Sequence, residues 1–96
     1  MSEMSVQVRI PTILRTYTDG ASEVEVTPAE PTLSSLLDAL DAAAPGIGAR
    51  VLDDAGALRR FVNVYVDDED VRFTDGLATP VPDGAKISII PAVAGG

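Results

Sequence analysis

Thr32-Leu33-Ser34-Ser35-Leu36-Leu37-Asp38-Ala39-Leu40-Asp41-Ala42-Ala43-Ala44-Pro45-Gly46 is the stretch on which the fold turns. Leu33, Leu36, Leu37 and Leu40 recur at i, i+3, i+4 and i+7, which places them on one stripe of a helix, while Asp38 and Asp41 face water. Thr32 is a helix-capping residue type, and the run of alanines extends the helix until Pro45-Gly46 stops it. One such stripe on one helix has to be buried on something. It reads as core, and the partner layer must come from the rest of the chain.

That layer is a sheet. Upstream, Ser5-Val6-Gln7-Val8-Arg9-Ile10 alternates with period 2 and ends at Pro11; Val24-Glu25-Val26 alternates again after Asp19-Gly20. The two predict a hairpin with a long connection, in which residues 12–18 extend either strand. Downstream, Ile47 to Arg60 predicts a helical turn and then a loop containing Asp53-Asp54-Ala55-Gly56. Phe61-Val62-Asn63-Val64-Tyr65-Val66 is a clear strand, with Val62, Val64 and Val66 on one face and Phe61, Asn63 and Tyr65 on the other. The Asp67–Asp70 turn leads to a short extended stretch, Val71-Arg72-Phe73. A loop follows over 74–82, then an Asp83-Gly84 turn and a last strand, Lys86-Ile87-Ser88-Ile89-Ile90, closed by Pro91. A hairpin, one helix and further strands give an α+β fold with the helix on one sheet face. Parallel pairing of the first and last strands at the centre makes the sheet mixed.

Composition restricts the chemistry. The 96 residues contain no cysteine, histidine or tryptophan, and 15 acidic against 7 basic side chains give a formal charge of −8. This length suits one domain. Without Cys or His there is no disulfide framework, no zinc site of the usual kind and no Ser-His or Cys-His nucleophile. A general base near neutrality would require a strongly shifted carboxylate or Lys86. The charge argues against nucleic acid and anionic membranes as partners. It serves solubility and, by simple complementarity, favours partner proteins with basic surfaces. Asp67-Asp68-Glu69-Asp70 lacks the ligand spacing and glycine of a calcium loop and reads as a solvated turn. Met1-Ser2-Glu3-Met4 has no basic n-region, and no apolar run approaches the ~20 residues of a spanning helix, so a cytoplasmic location is expected.

The chain closes on Ile90-Pro91-Ala92-Val93-Ala94-Gly95-Gly96. Pro91 ends the last strand, and residues 92–96 are expected to form a flexible tail beyond a domain of residues 1–91. From Pro91 the chain can reach at most about 20 Å. Glycine lacks a Cβ, so a Gly-Gly end can thread a narrow channel and deliver its own α-carboxylate to another protein's active site. Val93 offers one apolar anchor on the way. A carboxylate is a poor electrophile and needs activation, but the chain has no phosphate-binding glycine motif of its own. It would carry a group while other proteins catalyse.

Element order, Asp83-Gly84 before a closing strand, and terminal Gly95-Gly96 resemble the ubiquitin-like β-grasp family. The end Asp83-Gly84-x-x-Ile87-x-Ile89-Ile90-Pro91-x-Val93-x-Gly95-Gly96 is similar to its sulfur-carrier branch (the MoaD/ThiS family). Further blocks, Ile10-Pro11-Thr12-Ile13-Leu14-Arg15, Arg60-Phe61-Val62-Asn63-Val64-Tyr65-Val66, Asp68-Glu69-Asp70-Val71-Arg72-Phe73 and Gly76-Leu77-Ala78-Thr79, resemble the actinobacterial cysteine-biosynthesis carriers. The resemblance implies a β-grasp fold with a mixed sheet of four to five strands and an extended C-terminal tail. It also implies a sulfur carrier, itself not an enzyme, binding no cofactor and monomeric when free. An E1-like enzyme would use ATP to adenylate Gly96, and a sulfur donor would convert it to a thiocarboxylate. A cysteine synthase dependent on pyridoxal phosphate (PLP) would accept the sulfur, and a zinc metalloprotease of the JAMM type would release the cysteine.

By the same resemblance, Gly95, Ala94, Val93 and Pro91 guide the tail, and Ile90, Tyr65 and Asn63, with Ser88, form a partner-docking face. Carriers of this kind also feed thiosugar, molybdopterin and thiazole synthesis. A protein modifier joined to lysines through Gly96, or a β-grasp binding module with no covalent role, are the alternatives.

Overall fold

A computed structural model describes residues 5–91; Met1–Met4 and Ala92–Gly96 lie outside the described residues. The alternating segments form strands β1 (Val6–Arg9) and β2 (Glu23–Val26), and the leucine stripe forms helix α1 (Leu33–Ala43). One turn of helix, α2 (Gly48–Val51), precedes β3 (Val62–Val66), β4 (Glu69–Asp70) and the closing strand β5 (Lys86–Pro91). The sheet order is β2-β1-β5-β3-β4. β1 and β5 run parallel at its centre and β1 and β2 form an antiparallel hairpin, as the sequence led us to expect; β3 pairs antiparallel with both β4 and β5.

The helix begins where a capping residue allows it. The Thr32 hydroxyl accepts from the Ser35 N–H at 3.2 Å, satisfying one of the first-turn donors. The Leu33 N–H is satisfied from outside the helix, by the Thr79 carbonyl at 3.0 Å, so the 74–82 loop is tied beneath the helix start. Leu33, Leu36, Leu37 and Leu40 are buried with Val6, Val8, Val62, Val64, Ile87 and Ile89 in one core. The period-3.6 face of α1 thus meets the period-2 faces of the central strands. At the other end the Asp41 carboxylate accepts from the Gly46 and Gly48 N–H groups, at 3.2 and 2.9 Å, closing the helix exit.

Two segments read as extended are 3₁₀ helices instead. Residues Thr12–Thr18 coil rather than lengthen β1 or β2. They lack alternation and have a single residue to bury, Leu14; the Leu14 N–H donates to the Pro11 carbonyl at 2.9 Å, and Arg15 Nε donates to the Ile10 carbonyl at 3.1 Å. Residues Val71–Phe73 also coil. There the Asp70 carboxylate accepts from the Arg72 N–H at 2.9 Å, a local bond that competes with a ladder. The coil buries Val71 and leaves Phe73 88% exposed.

The acidic turn is also shorter than expected. Asp67 and Asp68, with φ of 50° and 75°, form the two-residue hairpin between Val66 and Glu69, and Glu69–Asp70 already pair as β4. Asp is among the few residues that tolerate this left-handed conformation. The Asp67 carboxylate accepts from the Lys86 N–H at 3.0 Å, so its role is to fasten β3 to β5.

Candidate functional site

The strand register decides what surrounds the root of the C-terminal segment. Because β5 runs antiparallel to β3, Pro91 lies opposite Val62, Ile90 opposite Asn63 and Ser88 opposite Tyr65. Ile87 and Ile89 point into the core. Ser88 and Ile90 therefore share the sheet face away from the helix with Asn63 and Tyr65, as alternation predicted. Of these, Ile90 is the large apolar group left uncovered, at 47% exposure. Gly96, Gly95, Ala94 and Val93, singled out from the sequence, lie outside the described residues; Pro91 marks the end of the described chain.

Asn63 is not free to serve as an adaptable contact. Arg72 Nη1 donates to its Oδ1 at 2.5 Å, and Arg72 Nη2 donates to the Arg59 and Val62 carbonyls at 2.6 and 2.8 Å. One guanidinium thus fixes the turn into β3 and the orientation of the Asn63 amide. Reading the sequence by alternation missed Arg72, because its role depends on a contact between separate elements. The Asp70 carboxylate, accepting from the Arg72 N–H at 2.9 Å, holds the Arg72 backbone in place.

Two open grooves meet at Pro91. One, on the side of the 3₁₀ turn, is lined by Ile13, Tyr17, Arg50, Val62 and Pro91 among others. The second includes Arg9, Pro11, Arg15, Ser88, Ile90 and Pro91. Arg50 is held over the Tyr17 ring, 5.9 Å from its centroid, and its Nε donates to the Tyr17 hydroxyl at 2.7 Å. Tyr17 in turn packs against the helix exit: a Cβ placed on Gly46 would lie 3.0 Å from Tyr17 Cε1, and Gly46 has φ of +99°. Gly46→Ala is therefore expected to cost about 1–2 kcal/mol, from left-handed strain plus displacement of the ring. A urea titration of the two proteins measures it; equal midpoints would show that the loop relaxes freely.

The chemistry available among the described residues is limited. No group of three or more Asp or Glu side chains is placed to hold a metal ion. No helix among them is long and apolar enough to cross a membrane. The strand end offers exposed apolar surface, bound arginines and an outgoing main chain, which together suit a protein–protein contact.

The comparisons with known proteins bear on the fold and the family. Residues 8–96 match the ThiS family. The chain is 50% identical over 95 residues to the sulfur carrier protein CysO of Mycobacterium tuberculosis, covering 97% of this chain and 100% of that protein. A crystal structure of the Amycolatopsis orientalis BexX/CysO complex contains a chain 48% identical to this one, with a TM-score of 0.87 over 95% of this chain and 99% of that one. The small archaeal modifier protein 3 of Haloferax volcanii is 37% identical over 65 residues, 68% of this chain and 70% of that protein. With a central parallel β1–β5 pair, one main helix on a five-stranded mixed sheet and a family match over nearly its whole length, the chain is a ubiquitin-like β-grasp protein and belongs to the ThiS family.

Proposed function

We propose that this protein is a sulfur carrier whose working group is the main-chain carboxylate of Gly96, taken as its last residue. The observation that carries the reading is Gly95-Gly96 placed four and five residues beyond a closing core strand that ends at a half-buried, groove-flanked Pro91. The kinship with proteins named sulfur carriers supports it. In the proposed cycle the Gly96 carboxylate attacks the α-phosphorus of ATP on an E1-like enzyme, and pyrophosphate leaves. A sulfur donor then attacks the acyl carbon and AMP leaves, which generates the thiocarboxylate. This chain contributes a firmly paired strand as the anchor of the tail. Adenylation, sulfur delivery and sulfur acceptance are the work of partners.

Cysteine synthesis is the acceptor route best supported by kinship, since the most extensive of these similarities, at 50% and 48% identity, are to CysO chains. That route brings in a PLP-dependent synthase and a zinc-dependent JAMM protease as partners. A CysO of A. orientalis forms a complex with BexX, which favours a carrier of this kind serving more than one partner; a thiosugar or another sulfur metabolite is the second route. The modifier reading draws on the 37% identity to an archaeal modifier protein.

Intact mass after incubation with ATP, the host's adenylating enzyme and a sulfide source tests the proposal. Replacement of one oxygen by sulfur is expected. Branched Gly-Gly-lysine peptides on other proteins, with no thiocarboxylate formed, would instead establish a modifier.

A further inference from the structure

The fold sorts the charges in a way the total of −8 conceals. Arg9 and Arg15 line one of the grooves that meet at Pro91, and Arg50 lines the other. Arg59 and Arg60 lie in the turn leading into Val62, the residue opposite Pro91, and Arg72 donates to the Arg59 and Val62 carbonyls. Arg9, Arg15, Arg50, Arg60 and Arg72 therefore stand around the end of β5, whereas the Arg59 side chain donates to the Ala49 carbonyl of α2 and Lys86 lies at the other end of the strand. Among the described residues neither groove is lined by a carboxylate, although Arg9 also borders, with Lys86, a small cleft lined by Glu23 and Asp68. Five other carboxylates line clefts that do not include Pro91. Glu25 and Asp38 line the cleft between β2 and α1, and Asp38, Asp41, Asp53 and Asp54 line the one beside α2. Inside the basic collar sit exposed apolar side chains: Ile13, Phe61 and Ile90 are 61%, 57% and 47% exposed.

We infer that this collar is the docking surface for the enzyme that takes the tail, and that the enzyme presents an acidic rim around an apolar channel mouth. The inference rests on the carrier reading and deepens it by fixing the partner's chemistry. It reverses the expectation drawn from net charge, in which partners carry basic surfaces. The reversal has a physical basis. At about 0.1 M salt the screening length is about 10 Å, so a docking partner feels the charges at the contact and little of those on the far side. An apolar centre with a charged rim is also the usual anatomy of a specific, reversible interface.

Association rates of the full chain with its adenylating enzyme test this, measured at about 0.01 M and about 1 M salt, where the screening length is about 30 Å and about 3 Å. The double variant Arg15→Gln/Arg60→Glu is expected to associate about tenfold more slowly at low salt, with the gap closing at high salt. Arg60→Glu alone keeps the test valid should loss of the Arg15 bond to Ile10 disturb the 3₁₀ turn, and should slow association about threefold. Asp38→Lys, on the outer face of α1, should leave the rate within about twofold of the parent. Arginine variants that associate as fast as the parent or faster would overturn the proposal. So would slowing confined to Asp38→Lys, which would mark a basic partner. Salt-sensitive self-association of the free chain, with partner rates unchanged, would reassign the collar to a second copy and overturn it too. If the parent chain supports no ATP–pyrophosphate exchange by the enzyme, the carrier reading itself fails and this inference with it. If exchange is normal and only the collar variants are silent, the failure belongs to the collar alone.

Discussion

A chain ending at Ala94, without Gly95 and Gly96, is expected to acquire no sulfur from ATP, the adenylating enzyme and a sulfide source that fully convert the complete chain. The loss should be total because the proposed reacting group is a single carboxylate whose position is set by chain length. Removing two residues draws the terminus back by about 7 Å. It also puts a methyl-bearing Ala94 beside the carboxylate, in a channel that the two glycines suit by lacking a Cβ. A displacement of even 1 Å from the reactive geometry can cost about a hundredfold in rate. The deleted residues follow β5, so the hydrogen bonds of the sheet are retained and the thermal midpoint should be unchanged. Sulfur incorporation by the shortened chain, seen as the same mass change, would show that the working group is elsewhere. Unchanged biological activity of the shortened chain would support a binding module with no covalent role.

The second large effect is on stability. Leu36→Ala is expected to destabilise the protein by about 3 kcal/mol, within the range of about 2–5 kcal/mol found for such truncations. Leu36 has no exposed surface and shares its core with the central strands. Among the described residues α1 is the long helix of the fold, with 11 residues against 4 in α2, so no second layer can move in to refill the space. For a domain stable by about 5–15 kcal/mol this is a large share of the total. Chemical denaturation of parent and variant measures it. A change below about 1 kcal/mol would mean that the helix contributes less to the core than its burial indicates.

The two results bear on different parts of the molecule. The first concerns the two residues that end the chain, and the second concerns the layer that holds β5 in place. Leu36→Ala should leave the fraction of sulfur acceptable per folded molecule intact, whereas deletion of Gly95-Gly96 should remove it from a fully folded protein. The pair of measurements therefore separates anchoring from chemistry.

The amino-acid sequence by itself determined the elements whose patterns are local. The period of Leu33, Leu36, Leu37 and Leu40 defined the helix, and the valines and isoleucines of β1, β3 and β5 defined which sheet faces are buried. It also excluded histidine and cysteine chemistry and singled out Gly95-Gly96 after the closing strand. Residues 12–18 and 71–73 were misread as extended because their conformations rest on bonds between a side chain or a proline carbonyl and a nearby backbone group, which leave no periodic trace. Only the tertiary structure decided that Arg72 anchors Asn63 and the turn before β3. It alone gathered arginines from distant parts of the chain around Pro91. Net charge is a sum over residues and is indifferent to their order. An interface responds to the few charges within a screening length of it, and strand register and loop closure set which those are.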